Sequence, residues 1–178
     1  MPMLETERLR LEPLTPVHAP LLQAVFNDAD FLRYVGDKGL KTEAECAQYI
    51  ISTAQSAPAG VVNYAVVLKN TGQWAGICGL LKRPYLDAPD LGYGLLPEAR
   101  GQGIAREAAR TLLAQACAFT RLWAMVNPAN RASCRLLQDL GFSEAPAPLP
   151  ETPFDNLLIM QWNSALEAAH TQPFGHNR

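Results

Sequence analysis

Residues 90–113 read DLGYGLLPEARGQGIAREAARTLL. A stretch of strand character runs into Pro97, passes through Arg-Gly-Gln-Gly, and opens into an alanine-rich run with helical spacing. Two glycines in four residues are costly in chain entropy, so such a loop is expected where the backbone turns left-handed or meets something closely. The strand needs partners in a sheet and the helix must cover one face of that sheet, which makes the fold class mixed α/β. At the junction, the first helical turn leaves N–H groups unpaired and the aligned peptide dipoles favour an anion.

The rest of the chain supplies the partners. RLRLEPL alternates apolar with polar residues, as a half-buried strand does, and is stopped by Pro13 and Pro16. A helix is expected over about 17–28, with Leu21, Leu22, Val25 and Phe26 on one face. A second runs from Thr42, which forms a capping-box pattern with Glu45, to just before Pro58; its expected apolar positions are Ala44, Ala47, Ile50, Ile51 and Ala54. VVNYAVVLK, rich in β-branched residues, and QWAGICGLLKR, with Gly76 and Gly79 inside it, are separated by Asn-Thr-Gly and predict a hairpin.

Residues 90–96 then read as a strand, 97–102 as the loop and 103–119 as a helix. LWAMV predicts another strand, NPANRASCRLLQDLGF a loop and short helix ended by Gly141, and DNLLIMQW a last strand. SEAPAPLPETP, between the last two, holds four prolines in eleven residues and is expected to pair poorly. No repeat appears in this order. One domain is expected over 1–178, with its core at about 4–162 and a fraying tail at 163–178.

Composition excludes several functions. At 178 residues and 48% hydrophobic, the chain suits one sizeable core, and a net charge of −2 without blocks of like charge offers no footprint for nucleic acid. No apolar run reaches signal-peptide or membrane-spanning length, so a cytoplasmic protein with no membrane partner is expected. Cys46, Cys78, Cys117 and Cys134 are far apart, with no C-x-x-C and no histidine at ligand spacing, so neither a metal site nor a disulfide framework is expected. His18, at a helix start, and His170 and His176, in the tail, receive no catalytic role.

The glycine loop fails two nucleotide fingerprints. Arg106 stands where the dinucleotide motif needs its third glycine, and no Gly-Lys-Ser/Thr triplet exists. Arg100, Gly103 and Ala105 instead fit [QR]-x-x-G-x-[GA], which resembles the acetyl-CoA pyrophosphate loop of the GNAT superfamily of N-acetyltransferases. The segment 90–113 is similar to the RimJ/RimL-like (ribosomal-protein-alanine acetyltransferase-like) group within it. LWAMVNPANRASCRLLQDLGF adds a second match, with Asn130, Ser133, Leu136, Leu137, Gly141 and Phe142 in place, and ETERLRLEPLT is similar to the group's first strand. The resemblance runs from about Leu4 to Trp162. It implies a mixed central sheet of about six to seven strands, with the fourth and fifth splayed, and about four flanking helices. It also implies transfer of an acetyl group from acetyl-CoA to a primary amine, a protein N-terminal α-amine or a small molecule, by direct attack in a ternary complex. No metal is implied, and monomer and homodimer both stay open.

The resemblance assigns roles residue by residue. Arg100, Gly101, Gln102, Gly103, Ile104 and Ala105 would bind the pyrophosphate through backbone N–H groups. The backbone of Tyr93, Gly94, Leu95 and Leu96 would hydrogen-bond the pantetheine arm and polarise the thioester carbonyl. Asn130 would bond the arm or cap its helix, and Ser133 would meet the CoA sulfur. Arg131 or Arg135 would reach the nucleotide phosphates.

Amines with a pKa of about 8 to 10 are mostly protonated at neutral pH, so a base is required. Asp90 stands where relatives often carry an acid; it is the first candidate, acting directly or through water, with Asp87 and Asp155 as substitutes. The competing reading of Asp90 is a solvated turn carboxylate. Cys134 is expected to pack, having no neighbouring cation to activate it. The acceptor cleft is expected from 26–42 and 143–158, with Tyr34 and Tyr85 as lining candidates and Trp74 and Trp123 better placed in the core. A catalytically silent acyl-CoA-binding or regulatory module would need the same loop without a working base. That alternative stays open.

Overall fold

Alternation builds the sheet. In β2 (Leu9–Pro13) Leu9 and Leu11 are fully buried while Arg10 and Glu12 face outward and pair with each other. The computed structural model describes residues 2–146 and 149–164. Its eight-stranded sheet has the order β1-β2-β3-β4-β5-β6-β8-β7, with β1 (Leu4–Glu5), β3 (Asn63–Leu68), β4 (Trp74–Leu81), β5 (Asp90–Leu95), β6 (Arg121–Val126), β7 (Ser143–Glu144) and β8 (Leu158–Asn163). Five helices flank it: α1 (Ala19–Phe26), α2 (Ala29–Tyr34), α3 (Glu43–Ser56), α4 (Ile104–Ala114) and α5 (Arg131–Asp139).

The GNAT-type architecture implied by the sequence is thus present, with one short strand and one helix more than expected. Both additions lack an apolar stripe. The helix α2 buries no residue and is held by its N-cap, where the Asp28 carboxylate accepts from the amides of Asp30 and Phe31. Strand β1 is two residues folded back on β2 by Thr6, whose hydroxyl accepts from the Leu9 amide.

Each face of the sheet carries a core. One side packs α4, through Ile104, Ala108, Ala109, Leu112 and Leu113, against Leu9, Leu11, Leu80, Leu91 and Leu122. The other packs Leu21, Leu22, Val25 and Phe26 of α1 with Cys46 and Ile50 of α3. The α3 face is rotated from the expected one. Ile51 is exposed, and the inward stripe runs through Cys46, Tyr49, Ile50 and Thr53 because α1 and the sheet meet it there. Helix α4 ends at Ala114 rather than near 119, the chain then tightening into turns that seat Phe119 against Gly60.

Close backbone approach fixes β3 on β4. An ideal Cβ on Gly79 would lie 2.2 Å from Asn63 Oδ1 and 2.6 Å from Asn63 Cα. Gly79→Ala is expected to cost about 2–3 kcal/mol in urea unfolding, because the strands must separate.

The feature that positions the site is an incomplete pairing. Strand β5 pairs with β4 from Leu81↔Asp90 to Gly76↔Leu95, but with parallel β6 only at Asp90↔Trp123. Past that point β5 and β6 diverge, and the backbone groups of β5 facing β6 open into a cleft. The late hairpin is slight, as its prolines predict: β7 contributes two residues, and Ala145 adds one bond to the Ile159 carbonyl. Residues 147–148 and the tail from 165 lie outside the described residues, as do His170 and His176. Among the described residues no helix is long and apolar enough to cross a membrane.

Candidate active site

Strand β5 divides its side chains between two chambers. Alternation sends Asp90, Gly92 and Gly94 to the α1–α3 side and Leu91, Tyr93 and Leu95 to the α4 side. Where β5 meets β4, the Leu96 amide donates to the Ala75 carbonyl, 2.8 Å away. The same edge geometry turns Gly94 toward β4 and leaves the backbone of Tyr93 and Leu95 toward the gap. Gly94 serves by its missing side chain, since a Cβ there would lie 2.8 Å from Val25 Cγ1. Of the four residues 93–96, Tyr93 and Leu95 turn their backbone groups toward the gap.

At the end of β5 the backbone turns left-handed at Gly101 (φ 72°) and Gly103 (φ 74°), and Gly103 caps α4. Among the described residues, the amides of Gly101, Gln102, Gly103, Ile104 and Ala105 have no acceptor, and a Cβ on Gly101 would touch nothing. Such a nest of consecutive N–H groups at a helix N-terminus suits a diphosphate. Arg100 contributes differently. Its amide donates to the Pro97 carbonyl, and its guanidinium reaches the Asp28 and Asp30 carboxylates and the Leu95 carbonyl. It braces α2 to the loop, while Arg8, just before β2, ties that strand to the loop and α4 by donating to the Gln102 carbonyl at 2.8 Å and pairing with Glu107.

A cavity of about 180 Å³ runs from the α5 side through the gap to α1 and α2. On the α5 side, Asn130 caps the helix, its Oδ1 accepting from the Ser133 amide at 3.2 Å. The Ser133 hydroxyl lies 2.6 Å from the Tyr93 hydroxyl. Burial pushes the Tyr93 phenol far above its ordinary pKa, so it stays protonated. This contact spans forty residues of sequence and could not be read from it. Cys134 packs beside them with its thiol toward the Asn127 carbonyl.

On the other side, Asp90 is 3% exposed, so the solvated-turn reading does not hold. Its Oδ1 accepts from Arg83 Nε at 3.2 Å. Burial raises the Asp90 pKa, opposed by the charge of Arg83 and more weakly by Lys38. Arg83 was missed in the sequence, although the alternation of Ile77 and Leu81, continued past the end of β4, points to it; all three line the cavity.

The substitute acids are elsewhere. Asp87 accepts from Trp123 Nε1 at 2.8 Å and pairs with Arg121, and neither it nor the exposed Asp155 lines the cavity. Of the aromatic candidates, Tyr34 lines it, joined by Phe26, Phe31, Tyr49 and Phe154. Tyr85 packs against Phe154, Trp123 is buried, and Trp74 sits in the α1 core beside His18. His18 is itself buried, its Nδ1 accepting from the Thr15 amide. Arg131 and Arg135 are exposed on α5.

Comparison with known proteins agrees with this layout. YoaA, an uncharacterized N-acetyltransferase of Bacillus subtilis, is 28% identical over 153 residues, covering 80% of this chain and 84% of its own. A crystal structure of an acetyltransferase from Agrobacterium tumefaciens superposes with a TM-score of 0.77 at 24% identity, covering 92% of this chain and 95% of that one. RimL, a ribosomal L7/L12 α-N-protein acetyltransferase in complex with coenzyme A, gives 0.75 at 16% identity over 91% and 98%. The family model described as acetyltransferase (GNAT) domain matches residues 8–143. With that match laid on the splayed β5–β6 pair and its glycine-capped helix, the chain belongs to the GNAT family and is an acetyltransferase.

Proposed function

We propose that the protein transfers the acetyl group of acetyl-CoA to a primary amine by direct attack within a ternary complex. The observation that carries this reading is the pairing of two features along one strand. Five unpaired amides at the N-terminus of α4 suit a pyrophosphate, and a buried carboxylate stands at the far end of β5. The five steps from Asp90 to Leu95 span about 17 Å, the reach of an extended arm laid along the strand.

Bound there, acetyl-CoA supplies the activated acyl group as a thioester. The amides of Gly101 to Ala105 hold the pyrophosphate, with Arg131 or Arg135 near the nucleotide. The backbone of Tyr93 and Leu95 orients the arm, and one amide polarises the carbonyl. Asp90 takes a proton from the acceptor's ammonium group, directly or through a water, which frees the nitrogen lone pair for attack. As the N–C bond forms and the C–S bond breaks, the Ser133 hydroxyl, held by the Tyr93 phenol, donates a hydrogen bond to the departing thiolate, which takes up the second proton that the acetylated nitrogen sheds.

The acceptor is a protein N-terminal α-amine, as for RimL and the RimJ/RimL-like group, or a small-molecule amine, and the charge of the acceptor chamber decides between them. Calorimetric titration with acetyl-CoA, ATP and NAD tests the loop assignment: acetyl-CoA alone is expected to bind with micromolar or better affinity, and preference for ATP or NAD would overturn it. Ser133→Ala is expected to lower kcat about tenfold, with KM for acetyl-CoA little changed, since it removes one bond to a developing thiolate. Free-thiol release measures this. Tyr93→Phe should lower kcat less, because the serine hydroxyl remains.

A further inference from the structure

The acceptor chamber is not electrically neutral. Among the described residues lining the cavity, the charged side chains are Lys38, Arg83 and Asp90, two cations against one carboxylate. Arg83 gives Asp90 only its Nε, and its two terminal amino groups have no partner among the described residues. Lys38 likewise forms no hydrogen bond or ion pair with a described residue, yet it lies close enough to respond to both charges. Burial and Arg83 hold its pKa below the ordinary lysine value, so its charge is incompletely compensated. A half-buried surplus of positive charge costs solvation free energy until an anion arrives.

We infer that the acceptor carries an anionic group, a carboxylate or its like, within a few bonds of the amine. This rests on the reading of Asp90 as the group that receives the amine's proton. Since Asp90 Oδ1 and Arg83 Nε are 3.2 Å apart, an ammonium group on Asp90 puts neighbouring atoms of the same molecule against the Arg83 amino groups and Lys38. A zwitterionic amine such as an α-amino acid meets both demands at once, and a guanidinium fork suits a carboxylate. Phe26, Phe31, Tyr34 and Phe154 also line the cavity, which favours an apolar or aromatic side chain on that amine. A polycation such as a polyamine brings further positive charge into a chamber that already has a surplus, and is disfavoured.

Three probes that share a benzyl group separate the charge from the shape: L-phenylalanine, its near-isostere L-phenylalaninamide, which keeps the shape without the charge, and phenethylamine, which lacks both, with spermidine as polycation. The wild-type protein is expected to acetylate L-phenylalanine with a kcat/KM at least tenfold above that of phenethylamine or the amide. In Lys38→Met that ratio falls about tenfold, and in Lys38→Arg it is retained. Structural damage would lower all rates together and leave the ratio intact. Equal or better use of phenethylamine or spermidine by the wild type, or a ratio unmoved in Lys38→Met, overturns the inference. Calorimetry on the CoA-loaded protein separates the two levels. Tighter binding of L-phenylalanine than of phenethylamine without turnover of either keeps the carboxylate site and defeats the catalytic reading; turnover with no such preference does the reverse.

Discussion

Asp90→Asn lowers kcat by about 10²–10³-fold at neutral pH, the range of a lost general base. KM for acetyl-CoA stays within a factor of two or so of wild type, because Asp90 sits at the opposite end of β5 from the glycine nest. The pH profile carries the sharper signature. Burial raises the Asp90 pKa above the ordinary carboxylate value and Arg83 only partly offsets it. Activity that requires the ionised carboxylate is therefore present above that raised pKa and lost as pH falls through it. In the asparagine variant this acid limb vanishes, and the residual rate climbs toward high pH as the acceptor amine, of pKa about 8 to 10, deprotonates unaided. A variant profile parallel to wild type, merely scaled down, removes Asp90 from the proton path.

The double variant Gly101→Val/Gly103→Val raises KM and Kd for acetyl-CoA about a hundredfold while kcat at saturation changes little. Both residues sit near φ 73°, a conformation that costs a β-branched residue about 1–2 kcal/mol at each position. The loop escapes that strain by turning its amides away from one another, and the anion loses its shared donors. Unaltered affinity with a native fold, read by titration and circular dichroism, means that the phosphates bind elsewhere. Gly103→Asn should lose less, since asparagine tolerates left-handed dihedrals better than valine does.

What the sequence disclosed about this site follows from the range of the interactions. The glycine loop was legible because left-handed backbone demands glycine locally, and Gly101 and Gly103 both use that freedom. Asn130 and Thr42 were legible for the same reason: a cap bonds an amide three residues on, as Asn130 does to Ser133 and Thr42 to Glu45. Amphipathic spacing placed α4 and the inner face of α1. It misplaced Ile51, because the face of α3 that turns inward is chosen by α1 and the sheet and not by its own sequence.

The chemistry of the chambers was the least visible part. Asp90 was flagged by its position, but its burial depends on α1 and α3 closing over β5, and its partner Arg83 lies just past the end of β4. The strand pattern announces only the backbone of Tyr93, yet its hydroxyl meets Ser133 across the strand–helix interface. The motif places Arg100 in the anion loop, and the acids at 28 and 30 that claim its side chain belong to a helix with no apolar stripe to announce it. In each case the deciding contact joins segments tens of residues apart.

The most direct test of the account is continuous thiol release from acetyl-CoA with a panel of amino acids, simple amines and N-terminal peptides, run beside Asp90→Asn and with products identified by mass. Amine-dependent release is expected, with one acetylated acceptor per free thiol, and nearly all of it is lost in the variant. Tight binding of acetyl-CoA with no acceptor raising thiol release above the Asp90→Asn background would contradict it, and would make the protein a silent acyl-CoA-binding module.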